Sequence, residues 1–297
     1  MFLKKNIKNK IKFLFKKLFL YEKVYEFSEK LTKKIRNFLK LLFCKSCSCK
    51  NNSIIASLTT YPPRINSCWI TITSLFNQNF KNFKIVLVLS IDEFPTKKIP
   101  WTLKFLQTKG LEILWCKENY KSYKKLIPVK KKYPNSIIIT FDDDLIYEKW
   151  RINQLILEHK IFPQSIIGHR GREIKINKDN KVESYLNWKL CTKRVNSKYV
   201  FLTGGAGALY PPNKLFDKLV KNYALANKLC PNGDDIFFWA IAYYSNINII
   251  CLGNEKIENV FELRNTPKLW DSNSNTSLKV NNDTQIRSVI KYFRINL

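Results

Sequence analysis

Three consecutive carboxylates, Asp142, Asp143 and Asp144, close the apolar run SIIITF of residues 136–141. Like charges crowded at the end of a buried strand are costly unless a cation offsets them. Asp142 and Asp144 are spaced to aim at one point. Their hard oxygens suit Mg²⁺ or Mn²⁺, which complete an octahedral shell with phosphate oxygens and water. The spacing predicts a clamp for a divalent ion carrying a diphosphate. A solvated acidic turn is the plainer alternative, and the strand-like run in front of the triplet favours the clamp. A second acidic pair, Asp234 and Asp235, opens the apolar helical run DDIFFWAIAYY. Carboxylates there can cap a helix or meet its dipole. One suffices for that.

Further candidates are spread along the chain. SLTTYPPR offers the Thr60 hydroxyl and the Arg64 fork, suited to phosphate or ribose oxygens. SIDEFP offers Asp92, and SYKKLIP offers Lys125, a cation placed to stabilise a departing phosphate. LTGGAGALYPP carries Gly204 and Gly205 but no G-K-[ST], so it is not a nucleotide-binding P-loop. Its glycines allow close backbone approach. In IIGHRGREI, His169 reads as structural, while Arg170 and Arg172 are within reach of the same face. ELRNTPKLW adds Arg264 and Trp270 on a late loop.

The elements that must position these residues alternate. Apolar strands IIASL, FKIVLVLS, LEILWC and SIIITF are separated by helical stretches CWITITSLFNQ, TLKFLQTKG (closed by Gly110) and SYKKLIPVKKKY. Strand and helix in alternation predict an α/β, Rossmann-like sheet with helices on both faces. Ligands bind such sheets beyond the carboxyl ends of the strands, where the aspartates fall. A last helix is predicted over NNDTQIRSVIKYF, capped by Asn282 or Asp283.

Residues 1–50 differ in texture from the domain expected over 51–297. Fourteen Lys and one Arg against three Glu give this segment +12 of the chain's +29. Its apolar residues fall on one helical stripe (3, 7, 11, 14, 18, 21, 25), so it reads as a basic amphipathic helical segment. Such a helix suits an anionic membrane surface, with packing on the main domain as the alternative. No stretch reaches the length of a membrane span. Of the eight cysteines, five are scattered through apolar stretches and read as buried thiols of a reducing compartment. Cys44, Cys47 and Cys49 lack the partner cluster that a zinc site needs.

In the order IIASLTTYPPRI, SYKKLIP, ITFDDDLIY, LTGGAGALYPP, NGDDIFFWA and ELRNTPKLW, the chain resembles bacterial glycosyltransferases of the GT-A fold, family 2-like, from capsule and lipopolysaccharide loci. The resemblance covers roughly 51–290. It implies a mixed GT-A sheet and transfer of a sugar from a nucleotide-sugar donor to a glycan or lipid-linked acceptor. It implies Mn²⁺ or Mg²⁺ on Asp142 and Asp144, the outer positions of a D-x-D motif. It also implies donor contacts from Thr60, Arg64, Asp92, Lys125, Asp143, Gly204 and Gly205. Asp235 would be an inverting general base, with Asp234 orienting it or touching the acceptor, or the two would hold the reverse roles. With the basic segment, this places the protein in the cytoplasm, peripheral at the inner face of the membrane. Two other readings compete: a metal-dependent phosphate-ester hydrolase and a non-catalytic nucleic-acid-binding protein. For the second no recognisable module appears, so no nucleic-acid partner is expected. Deleting residues 1–45 is expected to release the protein from anionic vesicles in a sedimentation assay; unchanged binding would reject that segment as the membrane contact.

Overall fold

A computed structural model of the chain describes residues 37–42, 53–253, 258–259 and 278–296. Residues 37–42 are helical; the rest of the amphipathic segment, Cys44, Cys47, Cys49, Arg264 and Trp270 lie outside the described residues. The account below concerns the domain that follows the segment.

The expected alternation is present. Strand β1 (Ile54–Thr59) leads to α1 (Cys68–Phe76), β2 (Lys84–Ser90), α2 (Trp101–Thr108), β3 (Leu111–Cys116), α3 (Ile127–Lys132) and β4 (Ile137–Phe141). After β5 (Leu145–Ile146) come α4 (Arg151–Ile161), β6 (Ile166–Gly168), β7 (Gly171–Glu173), β8 (Lys189–Leu190), β9 (Val195–Asn196), β10 (Val200–Leu202) and β11 (Ala208–Tyr210). Then follow α5 (Lys214–Val220), α6 (Tyr223–Leu229), α7 (Asp234–Tyr244), β12 (Ile249–Cys251), β13 (Glu258–Asn259) and α8 (Asn282–Phe293).

Among the described residues the main sheet runs β3-β2-β1-β4-β11-β6-β12-β9. Its first four strands are parallel, β11 is antiparallel to both neighbours, and β6 and β12 are parallel to each other. This is a GT-A-like, Rossmann-like mixed sheet flanked by helices. The interior strands β1, β2 and β4 are buried almost throughout, because β-branched side chains fill both faces of a sheet covered on each side. Gly110 takes a positive φ of 107° just past α2, the left-handed turn that ends a helix. Since β11 reverses between β4 and β6, the latter two run in the same direction. The residues after Phe141 and after Gly168 therefore emerge at one edge.

Three short strands, β10-β7-β8, form a second sheet beside that edge. The segment leading into β8 is anchored by α8. Its N-cap is Asn281, in a reciprocal capping box with Thr284, and not Asn282 or Asp283 as the sequence suggested. Asp283 is free of capping because it accepts from the Tyr185 N–H and the Ser184 hydroxyl, both at 2.7 Å. Two residues on, Gln285 Oε1 accepts from Asn232 N–H at 3.0 Å, just before α7 begins.

A buried ion pair ties α3 to α5. Lys130 has no exposed surface, and its Nζ lies 3.0 Å from Asp217 Oδ1 and donates to Pro211 O at 3.1 Å. Removing one member strands the other charge in the core. Asp217→Ala is expected to cost about 3 kcal/mol in urea denaturation, and Lys130→Met combined with Asp217→Leu is expected to recover most of it. A loss below about 0.5 kcal/mol in the single variant, the scale of an exposed pair, would contradict this.

Candidate active site

The parallel strands β1 and β4 deliver Thr60 and the aspartates side by side. The turn after β4 is braced from α1: Thr71 Oγ1 donates to Asp143 O at 2.9 Å, and Ser74 Oγ accepts from Tyr147 N–H at 3.0 Å. The Tyr147 hydroxyl accepts from Asp142 N–H at 3.0 Å and donates to Gly205 O at 2.6 Å. This one hydroxyl holds the aspartate turn against the glycine turn. From the far side, the fully buried Arg151 donates to Ala206 O at 3.3 Å while pairing with Glu148.

The aspartates then divide between two cations. Arg64 Nη1 donates to Asp143 Oδ1 and Asp144 Oδ2, each at 2.9 Å, and the Thr60 hydroxyl donates to Asp143 Oδ2. Lys125 Nζ lies 3.1 Å from Asp142 Oδ1 and 2.9 Å from Asp234 Oδ2. The second approach is a charge contact with poor hydrogen-bond alignment, as Asp234 Oδ2 has no well-directed donor. Asp235 turns the other way and accepts from Gly204 N–H at 3.0 Å. Neither Asp234 nor Asp235 caps α7: its N-cap is Gly233, without a side-chain bond. The capping alternative for this pair therefore falls away.

Two glycines make the cluster fit. A Cβ on Gly204 would stand 2.6 Å from Asp235 Oδ1, and one on Gly205 would stand 2.4 Å from Asp142 Oδ2. Backbone alone can pass between these carboxylates.

Burial sets the electrostatics. Asp142 feels the loss of water, but Lys125, Arg170 and Arg64 outweigh it and hold its carboxyl below the usual range. Asp144 goes the other way, pushed up to about 6 by burial and by the charge of Asp142, against the pull of Arg64. Burial also raises Asp143 in spite of Arg64 and Thr60. Asp235 is raised to about 7, first by burial and then by Asp234, with Lys125 opposing. Its carboxylate lines an apolar pocket with Leu202, Tyr210, Phe238 and Trp239, the environment that disfavours a charged carboxylate. Lys125 is itself held strongly protonated: burial works against its charge, but Asp142, Asp234 and Asp235 surround it.

Most of the residues singled out in the sequence thus meet; Asp92 does not, Arg172 instead donates to Trp188 O at 2.7 Å, and Arg264 and Trp270 lie outside the described residues. Thr60, Arg64, Lys125, Asp142, Asp143, Asp144, Gly204, Gly205, Asp234 and Asp235 form one connected group. Asp92 is exposed and accepts from Asn119 N–H at 3.1 Å; among the described residues it makes no contact with that group. Its neighbour Glu93 instead pairs with the buried Lys124. His169 is structural, as expected. Burial depresses it to about 3, and its Nε2 sits 3.0 Å from Arg151 O. Tyr147 was not singled out. Its signal was a hydroxyl-bearing aromatic five residues after the first aspartate, which one sequence cannot separate from a core tyrosine.

Asp142 and Asp144 suit a divalent metal by their chemistry: two hard carboxylates that repel each other in one turn. Among the described residues there is no group of three or more metal-ligating side chains. Two carboxylates match the way Mg²⁺ is commonly held, with phosphate oxygens and water supplying the rest.

No protein-family model matches the chain, and no curated protein matches it. Solved structures do. Residues 1–349 of S. aureus TarS in complex with UDP-GlcNAc match at 13% identity and a TM-score of 0.47, over 81% of this chain and 65% of that one. The same segment with UDP matches at 13% identity and 0.44, over 69% and 59%. CMP:2-keto-3-deoxy-manno-octonic acid synthetase complexed with CTP matches at 12% identity and 0.39, over 67% and 87%. The chain therefore spans less than two thirds of those TarS segments. This degree of likeness says nothing about activity.

Lys125 is 5% exposed and Asp234 10%. Lys125→Met should therefore leave a buried carboxylate without its cation and cost about 3 kcal/mol at neutral pH. Urea denaturation measures this, and an unchanged midpoint would show that the lysine does not neutralise the pair.

Proposed function

We propose that this protein is a glycosyltransferase that moves a sugar from a nucleotide-sugar to a hydroxyl of a surface-glycan or lipid-linked acceptor, with inversion. One observation carries the reading. The carboxylate triplet at the end of β4 and the carboxylate pair at the start of α7 are fastened to each other by Lys125. An anion-leaving site and a proton-accepting site therefore share one edge of the sheet.

In this reading Arg64, Thr60 and Asp143 form the wall nearest the nucleoside. Asp142 and Asp144 would hold Mg²⁺ or Mn²⁺. The metal supplies Lewis-acid stabilisation of the diphosphate charge. Lys125, already facing Asp142, offers a fixed ammonium to the same charge as it grows. Asp235 takes the proton of the acceptor hydroxyl. The freed oxygen lone pair bonds to the anomeric carbon as the bond from that carbon to the diphosphate oxygen breaks, and the nucleoside diphosphate departs with the electron pair. A carboxyl raised to about 7 is well matched to this task, since a base near the working pH combines availability with strength. Gly204 N–H fixes its orientation. The basic segment of residues 1–45 would keep the enzyme at an anionic membrane face on the cytoplasmic side, close to a lipid-linked acceptor.

Two tests address the reading. Release of nucleoside diphosphate from nucleotide-sugars is expected to need Mn²⁺ or Mg²⁺ and to fall at least 100-fold in Asp144→Ala; equal release by both proteins would overturn the clamp. The base must be ionised to act, so kcat/KM should rise with pH through about 7 and level off above it. Asp235→Asn is expected to lose both that limb and transfer while still binding the nucleotide-sugar in calorimetry. A pH limb retained in Asp235→Asn would assign the base elsewhere.

A further inference from the structure

The stretch from Phe94 to Leu111 carries four lysines and no carboxylate. It leaves β2, forms α2 and leads into β3. The acidic residues that flank it are engaged elsewhere. Asp92 accepts from Asn119 N–H, Glu93 pairs with Lys124, and Glu112 takes Lys84, Lys132 and the Tyr133 hydroxyl. Among the described residues, none of Lys97, Lys98, Lys104 and Lys109 lies within ion-pairing distance of a carboxylate. Trp101, the first residue of α2, is 58% exposed, the largest exposure of any aromatic side chain among those residues. Lys104 follows it by three positions, so the two share a helix face. The face with Thr102, Leu103 and Leu106 is buried instead. Two other exposed apolar sites differ in charge. Leu157 adjoins Glu158, which Arg194 holds, and Leu186 follows Glu183, which Lys175 holds.

The sheet fixes where this patch stands. β2 is parallel to β1, and β1 to β4, so the chain leaves β2 at the edge where the aspartates lie. α2 then runs back to start β3, which is parallel to β2. Trp101, at the beginning of α2, therefore stands toward the aspartate edge. Tryptophan joins an apolar body to a polar N–H and favours a half-wet boundary. Lysine lays its stem on apolar surface and leaves its ammonium in water. Lys97 Nζ lies 6.0 Å from the ring centre of Trp115, and Lys109 Nζ 5.4 Å from that of Phe105. An anionic bilayer meets both needs: tryptophan sits at headgroup depth and the ammonium groups face lipid phosphate.

We propose that this patch is a second membrane contact, on the domain itself, which docks the start of α2 on anionic lipid headgroups and turns the aspartate edge toward the bilayer. From the proposed function it takes only that the enzyme works at an anionic membrane face. Four lysines and one tryptophan orient the domain rather than anchor it. Residues 1–45 supply most of the affinity, and the patch adds to it as a tethered second site. Nucleic acid offers phosphate charge without an apolar layer for Trp101, and the test separates the two.

The full-length protein is sedimented with vesicles of phosphatidylcholine alone and of phosphatidylcholine mixed with phosphatidylglycerol. Binding is expected only to the mixed vesicles. Lys98→Glu combined with Lys104→Glu should weaken it at least about 10-fold, and Trp101→Ser at least about threefold. Lys160 and Lys291, exposed in the last turns of α4 and α8, give a charge-matched control. Lys160→Glu combined with Lys291→Glu should stay within about twofold of wild type. Amide exchange over residues 91–101 should slow at least about fivefold on the mixed vesicles. Equal binding by wild type and the patch variants, an equal fall in the control, or unchanged exchange over 91–101 overturns the proposal. Loss of single-stranded DNA binding in Trp101→Ser, with vesicle binding retained, assigns the patch to nucleic acid and overturns it too. Absence of wild-type binding rejects both the patch and the membrane placement. Sugar transfer is read separately, from nucleoside diphosphate release in solution, which the patch variants should leave within about twofold of wild type.

Discussion

The geometry of this sheet edge depends on the ammonium of Lys125. It stands between Asp142, at the end of β4, and Asp234, at the start of α7, 3.1 and 2.9 Å from them. Without a cation at that point, the turn after β4 and the start of α7 would present carboxylates to each other in surroundings that hold little water. The repulsion would open the edge or protonate one partner. A single buried charge thus lets two acidic loops, far apart in sequence, face one cleft. Arg64 repeats the device at the other end of the triplet.

The rest of the domain serves to aim those groups. Parallel pairing of β1 with β4 brings Thr60 next to Asp143. The reversal at β11 brings the glycine turn back across the aspartates. Tyr147 then joins the two turns through one hydroxyl, and α1 holds the backbone between them. Each constraint fixes a short stretch of chain that would otherwise be a loose loop, so the carboxylates are placed before any ligand arrives.

Much of the first half was legible in the sequence, because buried parallel strands leave long β-branched runs and their helices leave clear turns. The triplet was legible for the same reason: its charge breaks such a run. The second half was harder. Strands β7 to β12 are two or three residues long, too short for a period to show. The antiparallel insertion of β11 depends on contacts made far along the chain. Arg170 could be seen as near the edge, but its restraint by Thr203, 33 residues on, could not. Asp92 shows the opposite error. Its place at the end of a parallel strand suggested the cleft, yet its carboxylate accepts from Asn119 N–H on the loop after β3. The cap of α8 was displaced by one residue because three candidate side chains adjoin, and Asp283 had a more distant use in Tyr185 and Ser184.

That distant use bears on synthesis. The final helix reaches back twice: Gln285 steadies the chain just before Asp234, and Asp283 pins the segment at Tyr185. While the ribosome is still making residues 250 to 280, the parallel strands β1 to β4 can already pair, but the chain before α7 still lacks Gln285 and the segment at Tyr185 still lacks Asp283. The edge is fully fastened only once α8 has left the ribosome, so a nascent chain that lacks this helix holds the scaffold without the finished machinery.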